Sequence, residues 1–108
     1  MNMLNSIILE GDVFKIGELV NTAHLGNQAH KELMFGIQVA RTYKNEAGNI
    51  VTEAPAFDII AEGVLADTVH SKLETGMGVR VVGRLVQKDG VKILAEHIEF
   101  KAKKKGVA

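Results

Sequence analysis

The chain has 108 residues, 46% of them hydrophobic and 24% charged, with 13 basic and 13 acidic side chains and no cysteine. That is room for one domain around one core, and it excludes both a disulfide framework and a thiolate metal site. The opening residues lack a basic start before a long apolar core, and no run of about 18 apolar residues follows, so neither export nor membrane insertion is expected and a reducing cytoplasm fits.

In chain order, the stretch NSIILEGDV belongs to a first strand predicted over 4–14. A lone glycine interrupts its apolar residues, which is how a small barrel lets a strand bend sharply. Residues 15–32 are mostly polar, include His24, Gly26, Asn27 and His30, and read as a long loop with one short edge pairing. A second strand is predicted over 33–43, where Leu33, Phe35, Ile37 and Val39 alternate with Met34, Gly36, Gln38 and Ala40, making one face core. Residues 44–49 form a polar hairpin tip. The third strand, over 50–63, carries Pro55, which argues for an edge or a bend near its start.

The period then changes. Leu65, Val69 and Leu73 fall four apart on one stripe and predict a short helix over 66–75, with Gly76 just beyond its end. A fourth strand over 79–87, within GMGVRVVGRLVQ, repeats the glycine break and sets Arg80 and Arg84 at even spacing. A tight turn at 88–90 leads to a fifth strand over 91–100. Charge is uneven along this order: residues 1–79 carry a net −5 and residues 80–108 a net +5, so the positive charge is local. Such a stripe suits a polyanion, since phosphate binding depends on clustered Lys and Arg; a solvated face with a soluble tail is the plainer alternative.

Five strands with one helix between the third and fourth predict an all-β chain: a five-stranded OB-fold Greek-key barrel over 1–100 with a short basic C-terminal tail over 101–108. Strands two and three of that fold, with the adjoining loops, commonly bind single strands. Apolar residues on both faces of strands one and four, such as Ile7 with Ile8 and Val81 with Val82, predict a dimer or tetramer.

NSIILEGDV, FGIQVART at 35–42, LETGMGVRVVGRL at 73–85 and ILAEHIEF at 93–100, in that order and with those gaps, resemble bacterial single-stranded DNA-binding proteins. The resemblance spans nearly the whole chain. It implies a homotetrameric protein that coats exposed single-stranded DNA in replication, recombination and repair, in the cytoplasm at the nucleoid, with replication proteins as further partners. The departures are specific. There is no tryptophan, the loop after strand four is cut to Lys88, Asp89 and Gly90, and two positions where the family often carries aromatics fall on Ala56 and Glu62. The sequence closes with FKAKKKGVA in place of the family's acidic recruiting tip. That layout also resembles the primosomal replication protein N, which binds single strands and helps load the replicative helicase.

The candidate DNA-binding residues are Arg41, Lys44, Arg80, Arg84, Lys88 and Lys92 as phosphate contacts, with Tyr43 and Phe57 as stacking surfaces. Arg80, Arg84 and Lys88 share strand parity and form either a phosphate track or a solvated exterior. Tyr43 either stacks a base or caps the barrel, while Phe57 shares parity with Ile59 and Ala61 and reads first as a core or subunit-interface residue. The histidines His24, His30, His70 and His97 show no pair at ligand spacing, so no metal is expected. Glu53, Asp58 and Glu62 lie along one strand with no nucleophile beside a histidine, and Gly76 and Gly78 lack the ending of a phosphate loop. No enzymatic activity and no cofactor are expected. An oligomeric protein-interaction module with weak nucleic-acid affinity is the reading from another class.

Overall fold

The computed structural model describes residues 2–22 and 30–101. Among them the elements run β1 (Ile7–Ile16), β2 (Val20–Thr22), β3 (His30–Gln38), β4 (Arg41–Lys44), β5 (Ile50–Glu53), β6 (Ala56–Glu62), α1 (Val64–Lys72), β7 (Gly78–Gln87) and β8 (Val91–Phe100). Antiparallel ladders join β1 to β7, β7 to β8, β6 to β3 and β3 to β1, and a parallel pairing of β6 with β8 closes the ring. Five strands thus enclose the core as an OB barrel, with α1 between β6 and β7 as the sequence predicts. β2 pairs with residues 30–32 of β3, on the edge whose other half, residues 35–38, belongs to β1.

Closing so small a ring forces one strand to leave one neighbour for another. β1 pairs with β7 from Ile7 to Asp12 and with β3 from Asp12 to Ile16, and its register slips between Val13 and Lys15. Gly11 sits at this handover, where a Cβ would lie 2.6 Å from the Gln38 carbonyl oxygen. Gly83 does the same on the other side: the β7–β8 register slips between Val82 and Gly83, and a Cβ there would lie 2.2 Å from the Leu94 carbonyl oxygen. Both glycine breaks seen in the sequence therefore mark places where two backbones approach too closely for any side chain.

Inside the ring, Leu33, Phe35 and Ile37 of β3 alternate inward against Ile59 and Ala61 of β6 and Val79 and Val81 of β7. β8 contributes Ile93 and Ala95, then Ile98, its inward parity switching where the register slips. Ala66 and Val69 lay one face of α1 on this cluster, and Leu73 joins it just beyond the helix end. Each fully buried valine, leucine, isoleucine or phenylalanine among them contributes about 1.5–3 kcal/mol. The helix occupies Val64–Lys72 and not 66–75, because Leu73 already has extended backbone (φ −74°, ψ 135°) while its N–H still donates to the Val69 carbonyl at 2.8 Å. Its start is fixed by Gly63, at φ 65°, whose N–H donates to the Lys31 carbonyl.

The predicted second and third strands each break in two. Val39 and Ala40 divide β3 from β4, and Ala54 and Pro55 divide β5 from β6, so β4 and β5 form a separate two-stranded ribbon. Pro55 has no N–H to give a ladder, but its carbonyl accepts from the Val39 N–H at 3.0 Å and pins the base of the ribbon. Every residue of β4 is exposed, since Arg-Thr-Tyr-Lys offers no apolar face to the core. The predicted loop over 15–32 is shortened at both ends by β1 and β3; His24, Gly26 and Asn27 lie outside the described residues.

Candidate nucleic-acid interface

Residues of β3 and β6 that do not face the core point outward: Glu32, Met34, Gly36 and Gln38 on β3, opposite Glu62, Ile60, Asp58 and Ala56 on β6. Three lysines from different strands reach carboxylates of this face. Lys15 Nζ lies 3.3 Å from Asp58 Oδ1, Lys92 Nζ lies 3.8 Å from Asp58 Oδ2, and Lys88 at the β7–β8 turn pairs with Glu32. At one end His30 Nε2 lies 3.2 Å from Glu62 Oε2. The surface thus joins Lys88 and Lys92, expected from the sequence, with Lys15 and His30, which no strand pattern singled out.

The slip in β1 explains one further feature. Val13 is buried, and the extra residue turns both Phe14 and Lys15 outward, with Lys15 Nζ 5.5 Å from the Phe14 ring centroid. The Phe14 ring reaches over Gly36, where even a Cβ would come within 2.7 Å of the ring. It remains 38% exposed, a flat apolar surface beside a cation. The sequence pattern ended its first strand at Phe14 and missed it, because a bulge is visible only in the pairing. Ala56 and Glu62 do stand on this outward face, so β6 presents no aromatic ring there.

The ribbon carries a second group. Arg41 and Tyr43 lie on one side of β4, with the guanidinium carbon 4.9 Å from the ring centroid and Arg41 Nη1 3.8 Å from Glu53 Oε1 across the ladder. Tyr43 is 37% exposed and Lys44 follows it, exposed, at the turn. An Arg stacked on a Tyr holds the ring in place while leaving its far side open to a base.

The remaining candidates lie elsewhere. Arg80 Nη2 donates to Glu10 Oε1 at 3.1 Å and its Nη1 lies 3.9 Å from Glu99, while Lys101 also pairs with Glu10. The hydrogen bond from Lys101, and then that from Arg80, hold the Glu10 carboxyl below its ordinary value, and Glu10 in turn holds the Arg80 guanidinium above its own. Arg84 is exposed beside Asn2, Met3, Asn5 and Glu96. From Arg80 to Lys88 is roughly 26 Å of strand, and the two ends engage different carboxylates, so the three do not act as one cluster. Phe57 faces inward and packs against the core, lining a cleft of about 240 Å³ with Ile7, Leu9, Leu85, Val91 and Ile93.

No protein-family model and no curated protein matches the chain in sequence. Solved structures do match in three dimensions. The single-stranded DNA binding protein from Thermus aquaticus, as a deletion mutant, superposes with a TM-score of 0.74 at 22% identity, over 94% of this chain and 52% of that one. The SSB of Plasmodium falciparum, solved in complex with ssDNA, gives 0.74 at 18% identity over 94% and 97%. The protein priB from Ralstonia solanacearum gives 0.72 at 14% identity over 92% and 100%. At such identities the likeness is one of fold, and the chain has the OB barrel in the form carried by these single-stranded DNA-binding and priB proteins.

Proposed function

We propose that this protein binds single-stranded DNA without sequence preference, chiefly through charge. The observation that carries this reading is that Lys15, Lys88 and Lys92 all reach the outward face of β3 and β6, beside the exposed Phe14, the surface an OB barrel offers to single strands. The ribbon residues Arg41, Tyr43 and Lys44 extend the path. Proteins of the same fold solved as single-stranded DNA binding proteins, one of them with its ssDNA, support it. In this reading the protein acts as a coat and not as an enzyme, protecting exposed strands during replication, recombination and repair at the nucleoid. Ile8, Leu85 and Val91, exposed on the barrel wall, support assembly into a dimer or tetramer.

One observation favours a second reading. Each of the three lysines already faces a carboxylate of the same surface, so the face is largely self-neutralised, as suits a protein-interaction module with little affinity for nucleic acid. A salt series with a labelled oligothymidine separates the two. A phosphate-binding face gives a falling line of log affinity against log salt, which Lys88→Ala with Lys92→Ala should flatten by about 1.4. An interaction module binds at no salt concentration, and preference for duplex over single strand would also overturn the proposal.

A further inference from the structure

His30 and Glu32 stand two apart on β3 and so share a face, and Glu62 stands directly opposite Glu32 across the ladder. Among the described residues, these three bring one imidazole nitrogen and two carboxylate oxygens within 4.8 Å of one another. Two residues at i and i+2 with a cross-strand third put three side chains on the same face of the sheet. Glu32 is only 8% exposed, so its charge is held in poorly screened surroundings, and two carboxylates placed directly opposite repel unless a cation lies between them. In this structure Lys88 is bound to Glu32 and His30 to Glu62.

We propose that His30, Glu32 and Glu62 form a binding site for a divalent transition metal of the zinc type. A mixed nitrogen and oxygen set of three, with water in the fourth position, is the donor set zinc takes in open sites. Bonds of about 2.0–2.2 Å to nitrogen and oxygen place tetrahedral donors about 3.3 Å apart, and the His30 Nε2 to Glu62 Oε2 separation is 3.2 Å. Glu32 has to turn only part of the way towards that pair. Its turning releases the Lys88 ammonium, so metal and Lys88 compete for one carboxylate. On the function proposed above, the released ammonium becomes available to a phosphate, but the site itself stands independently of that reading.

The test uses the full chain with no DNA present, so its failure leaves the DNA-binding proposal untouched. Zinc chloride is titrated calorimetrically into the wild type, His30→Ala, Glu62→Gln and Lys88→Ala. Removing a supporting partner of a metal ligand costs 10–100-fold, so loss of a ligand itself should weaken binding at least tenfold, in His30→Ala and in Glu62→Gln alike. Lys88→Ala should bind zinc more tightly than the wild type, a result that an unspecific surface effect does not produce. In the wild type, the His30 ring resonances should shift on zinc addition while those of His70 and His97 stay in place. Zinc affinity unchanged in both ligand variants, weakened in Lys88→Ala, or unaccompanied by a His30 shift overturns the proposal.

Discussion

Asp58→Asn is the substitution that most directly interrogates the lysine face. The Asp58 carboxylate lies against two ammonium groups, Lys15 at 3.3 Å and Lys92 at 3.8 Å, and so competes with a phosphate for both. At water-like screening each contact amounts to about 1 kcal/mol, and exposed pairs usually return less than that once side-chain ordering is counted. The variant should therefore lose no more than about 1 kcal/mol of stability, a shift of about 4–8 °C in melting temperature. Its effect on binding should be similar in size and opposite in sign. Removing one negative charge leaves one more cation to neutralise a phosphate, which steepens the plot of log affinity against log salt by about 0.7 for single strands. Over a tenfold dilution of salt that amounts to about a fivefold gain relative to the wild type. Fluorescence anisotropy with a labelled oligothymidine across a salt series reads both quantities. An unchanged slope, or weaker binding by the variant, would show that phosphates do not approach Asp58 and that the face is wrongly assigned.

Tyr43→Ala and Phe14→Ala should each cost about 1–3 kcal/mol of single-strand affinity with little change in salt slope, because a stacked ring displaces no counterion; a changed slope would mean the rings act through their neighbouring cations. Gly83→Ala places a Cβ against the Leu94 carbonyl and should destabilise by about 1–3 kcal/mol or more, whereas Gly78→Ala meets only side chains at ordinary contact distance, Lys101 at 3.5 Å and Asp12 at 3.7 Å, and should be neutral or stabilising by up to about 1 kcal/mol in thermal unfolding. Glu10→Gln probes the network with Arg80 and Lys101. A carboxyl held below its ordinary value of 4.5 contributes stability above that pH and loses it as pH falls through the lower folded value, so the wild type should melt above the variant near neutrality and converge with it in acid. A difference that persists unchanged at acid pH would refute the ion-pair account.

The sequence by itself determined the barrel. Alternation of Leu33, Phe35 and Ile37 identified a strand with one core face, and the stripe of Leu65, Val69 and Leu73 identified the helix. The Lys88–Gly90 turn separated β7 from a fifth strand that falls where it was predicted, at Val91–Phe100. These are short-range signals, set by side-chain periodicity and by turn residues, and a residue's neighbours in sequence suffice to read them.

The site was legible only in part, because it depends on which strands meet. Strand parity placed Arg80, Arg84 and Lys88 on one side of β7, but the curl of the barrel engages Arg80 with Glu10 and Glu99 and sends Lys88 to Glu32. Phe14 and Lys15 turn outward together because β1 slips register as it passes from β7 to β3, and no local pattern encodes a slip that is defined by a partner strand. No two histidines stand at ligand spacing along the chain, whereas His30, Glu32 and Glu62 meet across a ladder whose register joins positions thirty residues apart in sequence. Periodicity fixes which way a side chain faces; only the closed ring, with its handovers and bulges, decides what it faces.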